Sequence, residues 1–186
     1  MINNSHGKWE IYTFIPGPTL QELNTYEEDV IIKLATHAAF GDITGRGDRH
    51  LENYVLSNRH LYAIDVSYLF WPDNETWLER YVKGGQAEIC CCLDDNIENE
   101  NKKLNIFFKH YKDTHQHLSQ NVDILGIIEK ISSKYETQLP FDQLKSFISE
   151  RLIPSYCNQQ IDNYKCWFSK YKVRVNEKYK LNKPDI

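Results

Sequence analysis

The segment from Gly45 to Asn53, with the pattern that follows it, constrains this chain more than any other feature. It contains Asp48 five positions before Asn53, and Asp65 follows twelve residues after Asn53. Between Asn53 and Asp65, two apolar runs flank a polar turn: the runs are 54–56 and 61–64, and the turn is 57–60. This pattern predicts a β-hairpin. Asn53 would stand at the start of the hairpin and Asp65 at its end, so that both side chains face one cleft.

The three polar residues of this segment suit the chemistry of phosphoryl transfer. That reaction needs a carboxylate to orient the acceptor hydroxyl, and hard oxygen ligands to hold Mg²⁺ beside the phosphates of the nucleotide. Asp48, Asn53 and Asp65 supply these groups in the order that a kinase uses. Asp and Asn are also common turn formers, so a purely structural role is the alternative for all three.

The same residues carry a resemblance to a known family. The motif G-D-R-H-x-x-N at 47–53, with I-D at 64–65 and L-F at 69–70, resembles the catalytic and metal-binding loops of phosphatidylinositol 3- and 4-kinases and related atypical kinases. In that family the second motif is I-D-F-G-H-x-F, whereas V-S-Y stands at 66–68 here. The resemblance covers residues 8–72.

The resemblance implies a role for each matching residue. Asp48 would be the base or hydroxyl-orienting acid, and His50 an electrostatic or proton-handling neighbour. Asn53 and Asp65 would be the metal ligands, with ATP and Mg²⁺ as cofactors. The residues expected to contact the nucleotide are Tyr12, Phe14, Ile15, Arg49 and Ile64. For Arg49, as for Arg46, a structural ion pair with nearby acids is at least as well founded as contact with phosphate.

The residues before this segment predict a strand, a linker and a helix. Alternating β-branched and aromatic residues at 9–15 predict a strand, which Pro16-Gly17-Pro18 ends before a short helical turn at 19–23. In a kinase such a segment would be the linker between lobes, and any strand followed by a turn is the alternative. Thr25 and Glu28 fit a capping box. The helix that they would start has an apolar face and would lead into a loop near Gly41.

After Phe70 the pattern is helical. A short helix is predicted at 74–82 with a stop at 84–85, followed by a polar, flexible loop at 94–101. Four amphipathic stripes then predict four further helices: 104–111, 124–131, 141–152 and 161–171. The expected fold is α+β and mainly helical, a protein-kinase-like C-lobe with a short β-hairpin that carries the catalytic and metal loops. The N-lobe would be largely absent.

This fold would form one domain over 1–186. Its parts would be a strand and interlobe linker at 8–24, a catalytic and metal-binding core at 25–72, and a helical subdomain at 73–186. The chain has 22 basic and 26 acidic residues and a net charge of −4, so a nucleic-acid partner is not expected. No stretch has the run of roughly 18 apolar residues that a transmembrane helix needs, and no signal-peptide core is evident.

The cysteines and histidines could bind a metal or act in redox chemistry, but a structural role is the stronger alternative for both. Three of the five cysteines are adjacent, at 90–92, which favours a reducing, cytoplasmic location over a disulfide framework. Signal-less export is left open. Burial is favoured over metal or redox chemistry for these three. His110, His115 and His117 with Asp113 are expected to be a helix surface, because i and i+2 side chains point about 200° apart. The basic, aromatic 165–180 region is expected to pack against the core rather than to touch a membrane.

These features predict an ATP- and Mg²⁺-dependent phosphotransferase domain that acts on a protein or lipid hydroxyl. No G-x-G-x-x-G occurs in the sequence, and Lys8 is the only lysine before the predicted linker. We therefore expect catalysis to be incomplete without an N-lobe. The possible partners are a separately encoded N-lobe, which would complete the site, and a homodimer partner. A pseudokinase or half-kinase interaction module is the alternative, and an all-helical binding protein with a coincidental loop is a third, weaker one.

Overall fold

The computed structural model describes residues 2–3, 9–10, 14–65, 69–71, 74–132 and 140–181. The strands are β1 (Ile2–Asn3), β2 (Trp9–Glu10), β3 (Tyr54–Ser57) and β4 (His60–Ala63). The α-helices are α1 (Glu28–Thr44), α2 (Asn74–Gly84), α3 (Ile97–Asn121), α4 (Ile124–Ser132), α5 (Phe141–Arg151) and α6 (Pro154–Leu181). Short 3₁₀ turns span Leu20–Glu22, Leu51–Asn53 and Glu88–Cys92. The predicted class, mainly helical with a small antiparallel sheet, is confirmed.

The predicted hairpin forms, with a tighter turn than expected. Strands β3 and β4 pair antiparallel in the register Tyr54↔Ala63 to Ser57↔His60. Asn58 and Arg59 form the two-residue turn, and both have positive φ values, 48° and 65°. Such turns match the right-handed twist of the strands, and Asn tolerates this backbone region at low cost. The turn therefore fixes the register that places Asn53 and Asp65 at the open end of the hairpin.

The segment before α1 lies along β3. Only part of the strand predicted at 9–15 is a strand: Trp9–Glu10 pairs with Ile2–Asn3, whereas Phe14 and Ile15 lie outside any strand. Tyr12 lies outside the described residues. The peptide N–H of Leu56 donates to the carbonyl of Pro18 at 3.0 Å, and Leu20 is fully buried. The segment 18–20, part of the predicted linker, is thus packed against the hairpin; together with Phe14 and Ile15 it forms the linker-like segment of the chain.

Both predicted ends of α1 were wrong. The capping box belongs to Thr19, whose peptide N–H donates to a carboxylate oxygen of Glu22 at 2.7 Å. It caps the 3₁₀ turn at Leu20–Glu22, and α1 begins only at Glu28. The helix also continues past Gly41 to Thr44 and ends on Gly45, which has the left-handed conformation (φ 61°) that closes many helices.

The acidic stretch predicted as a flexible loop at 94–101 is mostly helix. Helix α3 begins at Ile97, and the side-chain oxygen of Asn96 accepts hydrogen bonds from the peptide N–H groups of Glu98 and Asn99. Acidic side chains in the first turn of a helix are favourable because they face the positive end of the helix dipole. The charges that suggested a loop therefore start a helix.

The four amphipathic stripes form helices as predicted, and they surround α1. Helix α1 packs against α3, and its buried face includes Ile31, Leu34 and Ala38. A second, smaller cluster joins the end of α1 to α4 and α5: Ile43, Ile124, Ile128, Leu144 and Ile148. In the described part of the chain, no helix has both the length and the apolar character that spanning a membrane requires. The Gly45–Asn53 loop begins at this end of α1, next to the smaller cluster.

Candidate functional site

The loop that follows α1 is closed on itself by Asn53. The side-chain nitrogen of Asn53 donates to the main-chain carbonyl of Asp48 at 2.8 Å, and its peptide N–H donates to the carbonyl of His50 at 2.9 Å. The loop also starts in a fixed way, because the N–H of Arg46 donates to the carbonyl of Gly41 at 2.8 Å. The loop thus brings the Asn53 side chain to the main chain of Asp48, whereas convergence of the side-chain oxygens of Asp48, Asn53 and Asp65 stays a prediction.

Asp65 is placed beside this loop by the hairpin. The N–H of Ile64 donates to the carbonyl of Asn53 at 2.9 Å, which extends the β3–β4 ladder by one pair. Asp65 is the next residue, and its side chain is exposed. Asp65 is therefore the residue next to the partner of Asn53, at the open end of the hairpin.

Two of the three candidate residues have an unusual backbone conformation. Asp48 and Asp65 have φ values of 48° and 50°, in the left-handed region that non-glycine residues enter only occasionally. Such conformations cost free energy, persist where the surrounding structure enforces them, and cluster at functional sites. The hydrogen bonds of Asn53 are part of what enforces the conformation at Asp48.

The carboxylate of Asp48 has two further neighbours. His50 Nε2 lies 3.5 Å from Asp48 Oδ1, and both side chains are about one quarter exposed. The Tyr81 hydroxyl donates to the same oxygen at 2.5 Å. The sequence indicated His50 but not Tyr81, because the contact spans 33 residues and no local pattern relates α2 to the loop.

Arg49 does not face the open end of the hairpin. Its side chain is 1% exposed, and its Nε and Nη1 atoms lie 2.8 Å and 2.5 Å from carboxylate oxygens of Glu88 and Asp42. Nη2 donates to the Tyr164 hydroxyl at 2.8 Å. The expectation that Arg49 contacts a nucleotide is therefore corrected: it forms the structural ion pair that was the alternative. The two carboxylates offset the cost of burying this guanidinium.

The ion pair is part of a buried polar network beneath the loop. Tyr54 and Tyr111 donate hydroxyl hydrogen bonds to Glu88 and Asp42, respectively. Burial alone would raise the pKa of the Glu88 carboxyl, but the Arg49 charge and the hydrogen bonds from Arg49 and Tyr54 hold that pKa below its ordinary value. Glu88 is therefore an anion inside the fold, and it holds Arg49 in place.

One signal in the sequence could have indicated this network. Asp42 lies four residues after Ala38 and eight after Leu34 in α1, so it shares their buried face. A carboxylate on the apolar face of a helix needs a buried partner, because an unpaired charge there is very costly. Glu88 carries no comparable local signal.

A second arginine of the loop, Arg46, is also buried. Its guanidinium lies over the Tyr54 ring, 4.9 Å from the centroid, and Nη1 donates to the Tyr54 hydroxyl at 3.2 Å. Its other two nitrogens are buried without a hydrogen-bond partner among the described residues. Arg46 therefore packs under the loop against Tyr54, whereas the ion pair with nearby acids that was its alternative does not form among the described residues.

The remaining residues expected to contact the nucleotide are spread over two segments. Phe14 is 85% exposed, and Ile15 and Ile64 are half-buried. Ile64 is beside the site through its hydrogen bond to Asn53. Tyr12 lies outside the described residues.

The histidine group of α3 and the cysteines at 90–92 both include buried side chains. The expectation that His115 belongs to a helix surface is wrong: it is buried in α3, with Nε2 2.8 Å from the carbonyl oxygen of Arg151. Cys90, Cys91 and Cys92 are buried in the 3₁₀ turn, as expected. Within the residues that the structure describes, no group of three or more His, Cys, Asp or Glu side chains could hold a metal ion.

The donor set at the hairpin therefore differs from a cage made of protein carboxylates alone. Mg²⁺ keeps several waters and is commonly held by one or two carboxylates plus phosphate oxygens of the substrate. Asp65 offers an exposed carboxylate. Asn53 has committed its side-chain nitrogen to Asp48, and no described residue donates to its side-chain oxygen. Asn53 and Asp65 thus carry the oxygen-donor groups that Mg²⁺ takes in sites of that open kind.

Comparisons of the chain with protein-family models, with curated proteins and with solved structures gave no match. A function must therefore be argued from the geometry of this site and from the resemblance of its motif.

Proposed function

We propose that this chain is a kinase C-lobe-like domain of an ATP- and Mg²⁺-dependent phosphotransferase, similar in its motif to phosphatidylinositol 3- and 4-kinases. It would transfer a phosphoryl group to a hydroxyl of a protein or a lipid. The observation that carries the proposal is the double role of Asn53. One hydrogen bond ties it to Asp48 and another to Ile64, so a single residue connects the loop of the base to the strand that presents Asp65.

Asp48 would act on the acceptor. Its carboxylate would orient the acceptor hydroxyl and accept its proton while the acceptor oxygen bonds to the γ-phosphorus. The bond between that phosphorus and the bridging oxygen then breaks, and ADP leaves. His50, with Nε2 3.5 Å from Asp48 Oδ1, would be an electrostatic or proton-handling neighbour of this carboxylate.

Asn53 and Asp65 would hold Mg²⁺ through their side-chain oxygens. When bound, the ion would neutralise charge on the phosphates of the nucleotide. Phe14, Ile15 and Ile64 would contribute apolar contacts to the nucleotide. A glycine-rich loop and its paired lysine would have to come from residues outside this sequence, such as a separately encoded N-lobe.

The alternative is a pseudokinase or half-kinase interaction module without catalysis of its own. Phe14 favours it, because a phenylalanine that is 85% exposed on the linker-like segment is a natural contact for a partner. If this alternative is correct, light scattering would detect a dimer that Phe14→Ser converts to a monomer, while nucleotide binding would be lacking.

Calorimetry with ATP, in the presence and absence of Mg²⁺, tests the proposal. We expect Mg²⁺-dependent binding by the wild type and a loss of at least about tenfold in affinity, or about 1.4 kcal/mol, in Asp65→Ala. Asp95→Ala is the matched control, because Asp95 is an exposed acid in the segment before α3. Absence of heat from the wild type at millimolar ATP would refute the proposal for this chain.

A further inference from the structure

Asp48, the carboxylate proposed to orient the acceptor hydroxyl, already accepts a hydrogen bond from a hydroxyl group of the protein. Tyr81 donates to Asp48 Oδ1 at 2.5 Å, and the Tyr81 side chain is largely enclosed, with 9% of the residue exposed. Helix α2 carries Tyr81 to this position from outside the loop. The contact therefore comes from the way the helical part of the chain packs on the loop.

The Tyr81 ring is held on two sides. Its centroid lies 5.9 Å from that of His50 in an edge arrangement and 6.0 Å from that of Trp77, one turn earlier in α2. Trp77 in turn has an edge contact with Trp71, at 6.4 Å. Aromatic pairs at these separations add to the free energy of packing. The phenol is thus fixed in place as well as hydrogen-bonded.

The surroundings of the hydroxyl are those that the proposed reaction requires of an acceptor. It lies on the carboxylate that would accept its proton, beside His50. Asn53, a proposed metal ligand, is bonded to the main chain of that same aspartate. A phosphoryl group held by Asn53 and Asp65 would therefore be delivered close to the Tyr81 oxygen, and a fixed acceptor needs no separate binding step.

We propose that Tyr81 is an intramolecular phosphorylation site, the first acceptor of the phosphotransferase; this inference rests on the proposed function. The Tyr81 oxygen bonds to the γ-phosphorus, its proton passes to Asp48, and ADP leaves with the electron pair of the broken bond. A phosphate on Tyr81 would be repelled by the Asp48 carboxylate. The ring would therefore leave this position, and Asp48 would become accessible to an external acceptor.

The test is incubation of the full chain with ATP and Mg²⁺, followed by peptide mass spectrometry and by calorimetry on the same samples. A chain without a glycine-rich loop should transfer phosphate slowly, but the acceptor is already fixed beside Asp48. We therefore expect one phosphoryl group to accumulate on Tyr81, at a rate that is independent of protein concentration because the transfer is intramolecular. Tyr81→Phe should lose the label, and Asp48→Asn should slow labelling by at least about 10²-fold, the effect of removing a general base. Both variants should still bind ATP with Mg²⁺. Tyr62→Phe, which removes an exposed tyrosine of β4, should be labelled like the wild type.

The outcomes separate this inference from the proposed function. Binding of ATP and Mg²⁺ without phosphate on Tyr81 would overturn the inference alone. Labelling that persists in Tyr81→Phe, or that rises with protein concentration, would overturn it as well. Absence of nucleotide binding in the wild type would overturn both. Thermal unfolding of each variant, monitored by circular dichroism, would show that a lost label does not come from a lost fold.

Discussion

At the scale of single residues, Arg49 shows how the candidate loop is supported from within. It lies between the loop and α1, and its guanidinium contacts two carboxylates of different elements, Asp42 and Glu88. It also passes directly over Gly41, where an added Cβ would lie 3.0 Å from the guanidinium carbon. A glycine inside a helix is unfavourable in itself, so its presence here is explained by the space that Arg49 needs. The loop is therefore supported by a charge that is sealed inside the fold.

Replacement of Arg49 by methionine should strongly destabilise the protein. The substitution leaves Asp42 and Glu88 as buried carboxylates without a cation, and loss of one partner of a buried ion pair costs about 3–5 kcal/mol. Urea unfolding measures the difference. The control is Lys33→Met, which removes the exposed pair with Asp29 and should cost less than about 1 kcal/mol. Equal effects of the two substitutions would contradict the role of Arg49.

Two histidines, the half-buried His37 and the buried His115, predict how the stability depends on pH. Nε2 of His37 lies 3.1 Å from the carbonyl oxygen of Leu61, and that of His115 has the same kind of contact with Arg151. Burial lowers the pKa of both imidazoles from the ordinary value of 6.5. Since the unfolded chain then binds more protons than the folded one, stability should decrease as the pH falls below about 6.5.

We assign the slope of the stability against pH to the imidazole rings of His37 and His115. Each can contribute at most about 1.4 kcal/mol per pH unit. His115→Gln retains a donor for the Arg151 carbonyl but does not titrate, so it should flatten the dependence of the unfolding free energy between about pH 7 and pH 5. His37→Gln should add a similar reduction, because the two sites share no partner. An unchanged slope in the double variant would contradict the assignment.

At the scale of elements, Gly45 joins the end of α1 to the segment that follows the hairpin. The N–H of Trp71 donates to the Gly45 carbonyl at 2.9 Å, and that of Phe70 donates to the Thr44 carbonyl at 2.8 Å. A Cβ at Gly45 would lie 2.5 Å from the Phe147 ring. The glycine thus serves both the left-handed helix end and the close approach of α5.

Gly45→Ala should therefore cost more than about 1 kcal/mol, because both the positive φ and the space disfavour a side chain. Gly84→Ala makes the same chemical change at the end of α2, where the nearest atom to an added Cβ, Gln86 Oε1, is 3.5 Å away. That substitution should be neutral or stabilise by up to about 1 kcal/mol. Thermal unfolding of the pair gives the sign of each effect, and a neutral Gly45→Ala would contradict the predicted strain.

The elements also show which parts of the fold could be predicted from local sequence. The hairpin and the amphipathic helices follow from periodicity and from the tolerance of Asn58 for a positive φ. The start of α1 could not be predicted in this way, because Thr-x-x-Glu occurs twice in the segment before it, at 19–22 and 25–28. Only the first is next to a residue that is fully buried, Leu20, and that burial depends on tertiary packing. The spacing alone cannot decide between them.

The candidate site also has local contacts that the sequence indicates and long-range contacts that it does not. The contact between Asp48 and Asn53 is local, and their spacing of five residues indicated it. The contacts of Arg49 with Glu88 and of Asp48 with Tyr81 span 39 and 33 residues. They depend on how the 3₁₀ turn and α2 pack on the loop, which no pattern within either segment specifies. Long-range polar contacts were therefore the part that sequence reasoning missed.

At the scale of the whole molecule, the 3₁₀ turn at Glu88–Cys92 is a centre of the fold. It contacts α1, α2, α3 and α6, and all five of its residues are buried. Glu88 holds the network under the loop, and the three cysteines fill the space between helices. Exposure of these thiols requires that several helices separate at once. Their reactivity should therefore report on cooperative unfolding rather than on a local motion.

A thiol reagent can measure this cooperativity. Burial raises the pKa of Cys157 to about 11 and of Cys90 to about 12, and it raises those of Cys91 and Cys92 as well. Since the thiolate is the reactive form, the native protein should react quickly only at Cys166, which is exposed.

All five thiols should react after denaturation, and Cys166→Ser should remove the fast phase. The slow phase of the native protein should accelerate with urea as steeply as global unfolding does, because the same surface must be exposed in both processes. A slow phase that is insensitive to urea would mean that the 3₁₀ turn opens by itself. The network that holds the candidate loop would then be less rigid than the packing around Glu88 implies.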